Sequence, residues 1–245
     1  MLFTLLVSGA FAVAFIPVFS EYLKKDDKKL AWDIAASLLN ILVVGTIALA
    51  VIVQIFAVPI TKLLFHGFNQ ETLELTVNLT RIMLITPTLF AISSVWGSIQ
   101  QAHHRFVLYS VASVFYNVGI IVGIMFFAGK YGIYGVAWGV VLGTLLQATM
   151  QFFGLSGLGY KWRPIITFKL KGVRRTLKLI VPRAIDQGID QINYAVEKSI
   201  GSALAAGSIT SFTYANNLRN VLLSLIGAAI TTAVFPRLAE QSADK

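Results

Sequence analysis

"IAASLLNILVVGTIALAVIVQIFAVPIT", residues 34–61, carries no charged side chain from end to end. A membrane-spanning helix needs roughly 20 consecutive apolar residues, and this run exceeds that. Uncharged stretches also run from Met1 to Ser20, Ile82 to Ala102, Phe106 to Gly129 and Tyr131 to Tyr160. The whole chain follows the same pattern: 245 residues, 56% hydrophobic and 13% charged, with mean hydropathy +0.75. A soluble domain carries about twice that share of charge. Met1 to Ser20 has no cationic start and stays apolar too long for a cleaved leader, so it reads as a span. Two more segments, about Val173–Leu204 and Ser208–Pro236, are long but more polar. The small residues Ala205-Ala206-Gly207-Ser208 separate them as a turn. The fold class is all-α, a polytopic membrane bundle of about seven transmembrane helices.

Charge fixes the expected orientation, because Lys and Arg accumulate in short cytoplasmic loops. With the Lys24 side inside, inner loops hold Lys24, Lys25, Lys28, Lys29, Arg105, Lys161, Arg163, Lys169, Lys171, Arg174, Arg175, Lys178, Arg237 and Lys245. Outer loops hold only Lys62 and Lys130, and Arg81, Arg183, Lys198 and Arg219 remain at membrane depth. The net charge of +9 is therefore mostly topology. A nucleic-acid partner is not expected, since no basic face with aromatic or motif support is present. Met1 then falls outside, which leads to the expectation that one helix precedes it. A weak repeat agrees: Gly9-Ala10 leads to Pro17-x-x-Ser20-Glu21, and Gly227-Ala228 to Pro236-x-x-Ala239-Glu240.

The span starting at Val173 concentrates the polar chemistry. Arg183, Asp186, Asp190 and Glu197 fall within about 60° of one another around a helix that turns about 100° per residue. Gln187 and Tyr194 lie alongside. Ionisable groups at bilayer depth are costly unless paired or wetted, so the stripe reads as the wall of a cavity. The bland alternative pairs Arg183 with Asp186 near the interface and lets Lys198 snorkel. Arg81, before Pro87, and Arg219, beside Asn216 and Asn220, are the other candidate cavity cations. Their plain alternatives are interfacial snorkelling and helix–helix bonding.

Other features weigh less. Gly135, Gly139 and Gly143, with Gly119 and Gly123, make small-residue faces for close helix packing. Pro87 and Pro182 are candidate kinks. His103-His104 lack a ligand spacing, and there is no cysteine, so no metal site is expected. The basic loop "KWRPIITFKLKGVRRTLK", residues 161–178, places Trp162, Ile165, Ile166 and Phe168 among cations that could meet anionic headgroups, though a plain positive-inside loop also accounts for it.

"GAFAVAFIPVFSEYL", "LTRIMLITPTLFAISSVWGSI", "HRFVLYSVASVFYNVGIIVGI", "YGIYGVAWGVVLGTLLQ" and "GVRRTLKLIVPRAIDQGIDQIN" resemble successive blocks of the MurJ/MviN lipid II flippases. These belong to the multidrug/oligosaccharidyl-lipid/polysaccharide exporter superfamily. The blocks occur in family order over nearly the whole chain. The resemblance implies the second to eighth helices of a two-lobe carrier, with 1–160 in the N-terminal lobe, 161–172 an inter-lobe loop and 173–245 the start of the C-terminal lobe. It also implies the bacterial cytoplasmic membrane, a lipid-linked substrate, and a cavity holding Arg81, Arg183, Asn217 and Arg219. No organic cofactor is implied. Glu197 matches a position where relatives often carry an acid associated with sodium; with Asp190 and Asp186 it is the candidate site for a coupling cation, sodium or proton. Relatives often read Tyr-Ala-Asp-Arg-Leu where this chain has Tyr214-Ala215-Asn216-Asn217-Leu218-Arg219, so the arginine is displaced. Phe3 and Thr4 replace basic positions, and Asp186 and Asp190 replace small or apolar ones. A polysaccharide or drug exporter of the same superfamily thus stays open. A polyprenyl-lipid membrane enzyme is the remoter alternative, resting on His66, Glu71 and Glu74, which an interfacial amphipathic turn explains more simply.

Overall fold

The computed structural model of the chain describes residues 10–25, 27–205 and 207–223, without the side chains of Ala10 and Arg183. The elements are helices α1 (Ala10–Lys24), α2 (Lys28–Ile55), α3 (Ala57–Leu64), α4 (Gln70–Met83), α5 (Thr86–Ala102) and α6 (Phe106–Val122). A π-helical turn, Gly123–Phe127, leads into α7 (Ala128–Tyr131), then α8 (Ile133–Gly154) and α9 (Lys171–Ser202). Residues 208–223 are again helical, after a turn in which Gly207 takes φ +92°. No strand occurs among the described residues.

Among the described residues, four helical stretches are long and apolar enough to cross a membrane: Lys28–Ile55, Gln70–Ala102, Phe106–Tyr131 and Ile133–Gly154. Helix α9, at 32 residues, is long enough but too polar to qualify by hydropathy. The first and last expected spans lie partly outside the described residues. So do the second copy of the repeat, near Pro236, and both chain ends.

Two prolines explain where observed helices depart from the expected spans. Proline removes a backbone donor and crowds the carbonyl four residues earlier. Pro59 would press on Ile55, and α2 ends there; the chain restarts as α3 at Ala57. Pro87 would press on Met83, and α4 ends there. The Thr86 hydroxyl then donates to the Met83 carbonyl at 2.8 Å, satisfying the group that the proline frees. Because Asn69 caps α4 by accepting from the Thr72 amide at 2.8 Å, the span expected at Ile82 extends back to Gln70. Pro182 lies inside α9, which stays helical through it.

The packing is that of a bundle whose outside is lipid. Val44, Leu63, Val107 and Met125 face outward, while Ser37, Asn40, Ser98, Gln100, Thr144 and Gln151 are buried. Helices α6 and α8 approach through the glycine faces: a methyl group added at Gly119 would meet the Gly143 backbone, and one at Gly123 would meet Gly139. Phe11, Phe15 and Phe19 stack along α1 with centroids 5.1 and 5.0 Å apart, and are buried against α2, α5 and the start of α9.

Contacts also sort the loops into two ends. At one, Glu21 accepts from Arg175 at 2.6 Å, Trp32 stacks on His103, and the indole of Trp96 donates to the Tyr160 hydroxyl at 3.2 Å. Lys25 and Arg175, both expected in inner loops, lie here. At the other end, the α3–α4 turn meets the end of α9.

Candidate functional site

Helix α9 crosses the bundle and is held at both ends. Near its start Val173 and Thr176 are fully buried, and Gly172 lies so close to Ile34 and Tyr22 that a larger side chain would collide with them. The Glu21–Arg175 pair fastens this end to α1, and Glu21 also accepts from Lys25 at 2.7 Å. The hydrogen bond from Lys25 chiefly, then that from Arg175, holds the Glu21 carboxyl below its ordinary value. At the far end the Gly67 amide donates to the Ser202 hydroxyl at 3.4 Å, and Ser199 lies 3.4 Å from His66 Nδ1. A side chain at Gly67 would strike the Ser202 carbonyl.

Between these anchorages the helix divides by face. Asp186, Asp190 and Glu197 are all exposed on one row. Ile185, Ile189, Ile192, Val196 and Ile200 are exposed on a second row, and Gln187, Gln191, Tyr194 and Lys198 are partly covered on a third. By helical geometry the acidic row lies between the apolar row and the covered one. An apolar row toward lipid and an acidic row toward an open cleft is what such an order permits. None of the three acids has a hydrogen bond or ion pair with a described residue, and the Arg183–Asp186 pairing lies outside the described residues. Arg183 is in α9; its side chain lies outside the described part of the structure.

Among the described residues, no hydrogen bond or ion pair joins Arg81, Asn217 or Arg219 to the acids. Arg81 is exposed in the last turn of α4, and Asn217 and Arg219 are exposed on the helix 208–223. Asn216 is instead nearly buried and donates to the Tyr194 hydroxyl at 2.7 Å, tying this helix to α9. Glu197 and Lys198 border a cavity of about 260 Å³ between those two helices, with Gly201, Ser208 and Phe212. Glu71 and Glu74 lie exposed on α4, while His66 lies beside Ser199. Among the described residues, no three of His, Asp and Glu stand close enough to hold a metal ion.

Sequence reasoning missed two contact sets. One is the His66/Gly67 meeting with Ser199/Ser202. The other is a ladder on α2: Asp33, Ser37 and Asn40, at helical spacing, hold the non-helical residues 163–167. Asn40 Nδ2 donates to the carbonyls of Arg163 (2.7 Å) and Ile165 (2.9 Å). Ser37 donates to the Thr167 carbonyl at 3.0 Å and accepts from its amide at 2.9 Å, and Asp33 pairs with Arg163 at 2.6 Å. Three polar residues on one face of an apolar span were the available signal.

Fold and site together define a multi-pass helical membrane protein of transporter architecture, with a polar helix crossing beside an apolar bundle. The family model "Lipid II flippase MurJ" matches residues 1–245, and the chain belongs to that family. It is 28% identical over 243 residues to a "Probable lipid II flippase MurJ" of Borreliella burgdorferi, covering 97% of this chain and 47% of the relative. It is 25% identical over 244 residues to the "Lipid II flippase MurJ" of Burkholderia cenocepacia, covering 96% and 47%. Among solved structures, "Lipid II flippase MurJ, inward closed conformation" superposes with TM-score 0.78 at 23% identity, over 99% of this chain and 50% of that one. The chain thus spans about half the length of the relatives it matches. Its place is the bacterial cytoplasmic membrane, which it crosses several times.

Proposed function

We propose that the protein takes part in moving lipid II, the lipid-linked peptidoglycan precursor, across the cytoplasmic membrane by alternating access. Residues 1–160 serve as one lobe, 161–172 as the connection and 173–245 as the beginning of the other. Besides family membership, the observation carrying this reading is α9: fixed at both ends, with an uncovered acidic row between. Arg81, Arg183, Asn217 and Arg219 supply donors for a pyrophosphate, because a guanidinium stays charged and its planar fork matches phosphate oxygens. Asp186, Asp190 and Glu197 act singly, each taking a proton or giving a sodium ion part of its oxygen shell. No bond is made or broken in this transfer. The displaced arginine keeps export of another polysaccharide-linked lipid, or of a drug, as the second reading.

The test uses cells depleted of their own lipid II flippase. An externally added lipid II-cleaving enzyme reports the precursor at the outer surface. The chain is expressed alone, and also fused to the C-terminal half of a relative, since an alternating-access carrier works with two lobes. Restored cleavage with the fusion but not with the chain alone is expected. Rescue by a monomer of the chain alone would overturn the two-lobe scheme. A well-inserted fusion that restores export of another compound but not lipid II exposure would replace the substrate assignment.

A further inference from the structure

The segment joining α8 to α9 carries chemistry that the transport reading does not use. Residues 162–168 form neither helix nor strand, with the Ile165 amide donating to the Arg163 carbonyl at 2.8 Å around Pro164, and their side chains alternate in exposure. Arg163, Ile165 and Thr167 turn inward, held by the α2 ladder. Trp162, Pro164, Ile166 and Phe168 turn outward, with Trp162 62%, Ile166 53% and Phe168 55% exposed. Non-helical backbone at membrane depth persists only where its polar groups are satisfied by protein or water. Asn40 and Ser37 do this for the carbonyls of Arg163, Ile165 and Thr167. Arg174 Nε does it for the Phe168 carbonyl at 2.6 Å. The backbone faces protein; Pro164, Ile166 and Phe168 face away from it, and the Trp162 ring stays largely exposed while its indole N–H donates to Asn40 Oδ1 at 3.3 Å.

Cations rim this row. Lys161, Lys169, Lys171, Arg174 and Lys178 are exposed, and none has a carboxylate partner among the described residues. The nearby acids are engaged elsewhere: Asp33 with Arg163, Glu21 with Lys25 and Arg175, and Asp27 on the Leu30 amide. An apolar row that needs hydrocarbon, bordered by free positive charge, matches one surface in both respects. That surface is an anionic headgroup layer over acyl chains. We propose that residues 161–178 form a docking surface for anionic phospholipid of the inner leaflet, with Trp162, Ile166 and Phe168 seated among the upper acyl carbons and the lysines on the phosphates. A positive-inside loop needs only the charges; the pinned apolar row is the added feature.

The chain holds four tryptophans, so fluorescence can isolate one of them. The whole chain and its Trp162→Phe variant are reconstituted in phosphatidylcholine vesicles. These contain equal fractions of either brominated phosphatidylglycerol or brominated phosphatidylcholine. The difference between the two proteins reports Trp162. Quenching by both lipids is expected, and at least about twofold more by the anionic one. Joint replacement of Lys169, Lys171 and Lys178 by Gln should abolish the excess and keep the quenching by phosphatidylcholine, whereas replacement by Arg should retain the excess. Helical content measured for each variant confirms that the fold is kept. Absence of quenching would overturn the seating of the apolar row. Equal quenching by the two lipids, or an excess that survives in the Gln variant, would overturn anionic recognition. None of these outcomes depends on transport.

Discussion

Glu197 and Arg219 were both picked from sequence, yet only the surroundings of Glu197 give it a defined place, beside Lys198 on the small cavity between α9 and the following helix. Glu197→Gln removes an ionisable group with little change in shape. In a lipid II translocation assay on the fused carrier, its expected effect is loss of most of the sodium or pH dependence with substrate binding kept. Arg219→Lys keeps charge but loses the bidentate fork, so binding of the pyrophosphate lipid should weaken about tenfold if phosphate is gripped there. If both variants match the parent in rate, affinity and ion dependence, the polar residues are structural. The stripe itself was legible because helical periodicity alone places Asp186, Asp190 and Glu197 on one row. Asn216 was not separable from Arg219 by the same means. Its pairing with Tyr194 depends on how two helices separated by a turn fold back on each other, and no local pattern encodes that.

At the scale of elements, glycine spacing read true. The run Gly135, Gly139, Gly143 is buried against α6 and the π-helical turn that follows it, where an added methyl group meets the backbone of Phe127, Gly123 and Tyr116 in turn, so a larger residue cannot be absorbed by a rotamer change. Gly139→Leu is expected to destabilise the α6–α8 pair by about 1–3 kcal/mol or more, read as a lower melting temperature in detergent. Gly45→Leu makes the control, since nothing lies near its added Cβ. Helix ends were read less well because Pro59 and Pro87 act on carbonyls four residues earlier, which shifts the break upstream of the proline. The α2 ladder was invisible for another reason: its partners are more than 120 residues away in the chain. Its energetic role is testable. Asn40→Ala strands the Ile165 carbonyl, whereas the Arg163 carbonyl keeps the Ile165 amide, and the cost of an unpaired buried acceptor is about 1–3 kcal/mol. Ser37→Ala should speed hydrogen exchange at the Thr167 amide while leaving the α8 amides slow.

For the whole molecule, the decisive arrangement is that α9 touches the N-terminal bundle at both ends of its crossing. The inner anchorage combines buried packing at Val173 and Thr176 with the Glu21–Arg175 pair. The carboxyl of Glu21 is held low, so its pairing contributes fully above the unfolded value of 4.5 and is lost as pH falls through the lower folded one. That contribution is small at an exposed site. Packing must therefore dominate the inner end, and mild acid alone should not release it. The outer anchorage is thinner: Gly67 against the Ser202 backbone, and His66 beside Ser199. If one end opens in an alternating cycle, the outer contact is the easier one to part, and Gly67→Leu should force it, because no larger side chain fits against the Ser202 carbonyl. The chain has no cysteine, so Asp190→Cys gives a single thiol on the acidic row. Its labelling by an impermeant maleimide added outside intact cells should rise severalfold when Gly67→Leu is present. A cysteine replacing Lys130, at the outer end, should label equally in both backgrounds, and one replacing Lys171 in neither. Unchanged labelling of the Asp190→Cys thiol in a stably inserted protein would mean that the Gly67–Ser202 contact does not control access to the row, and the outer gate would have to be sought elsewhere.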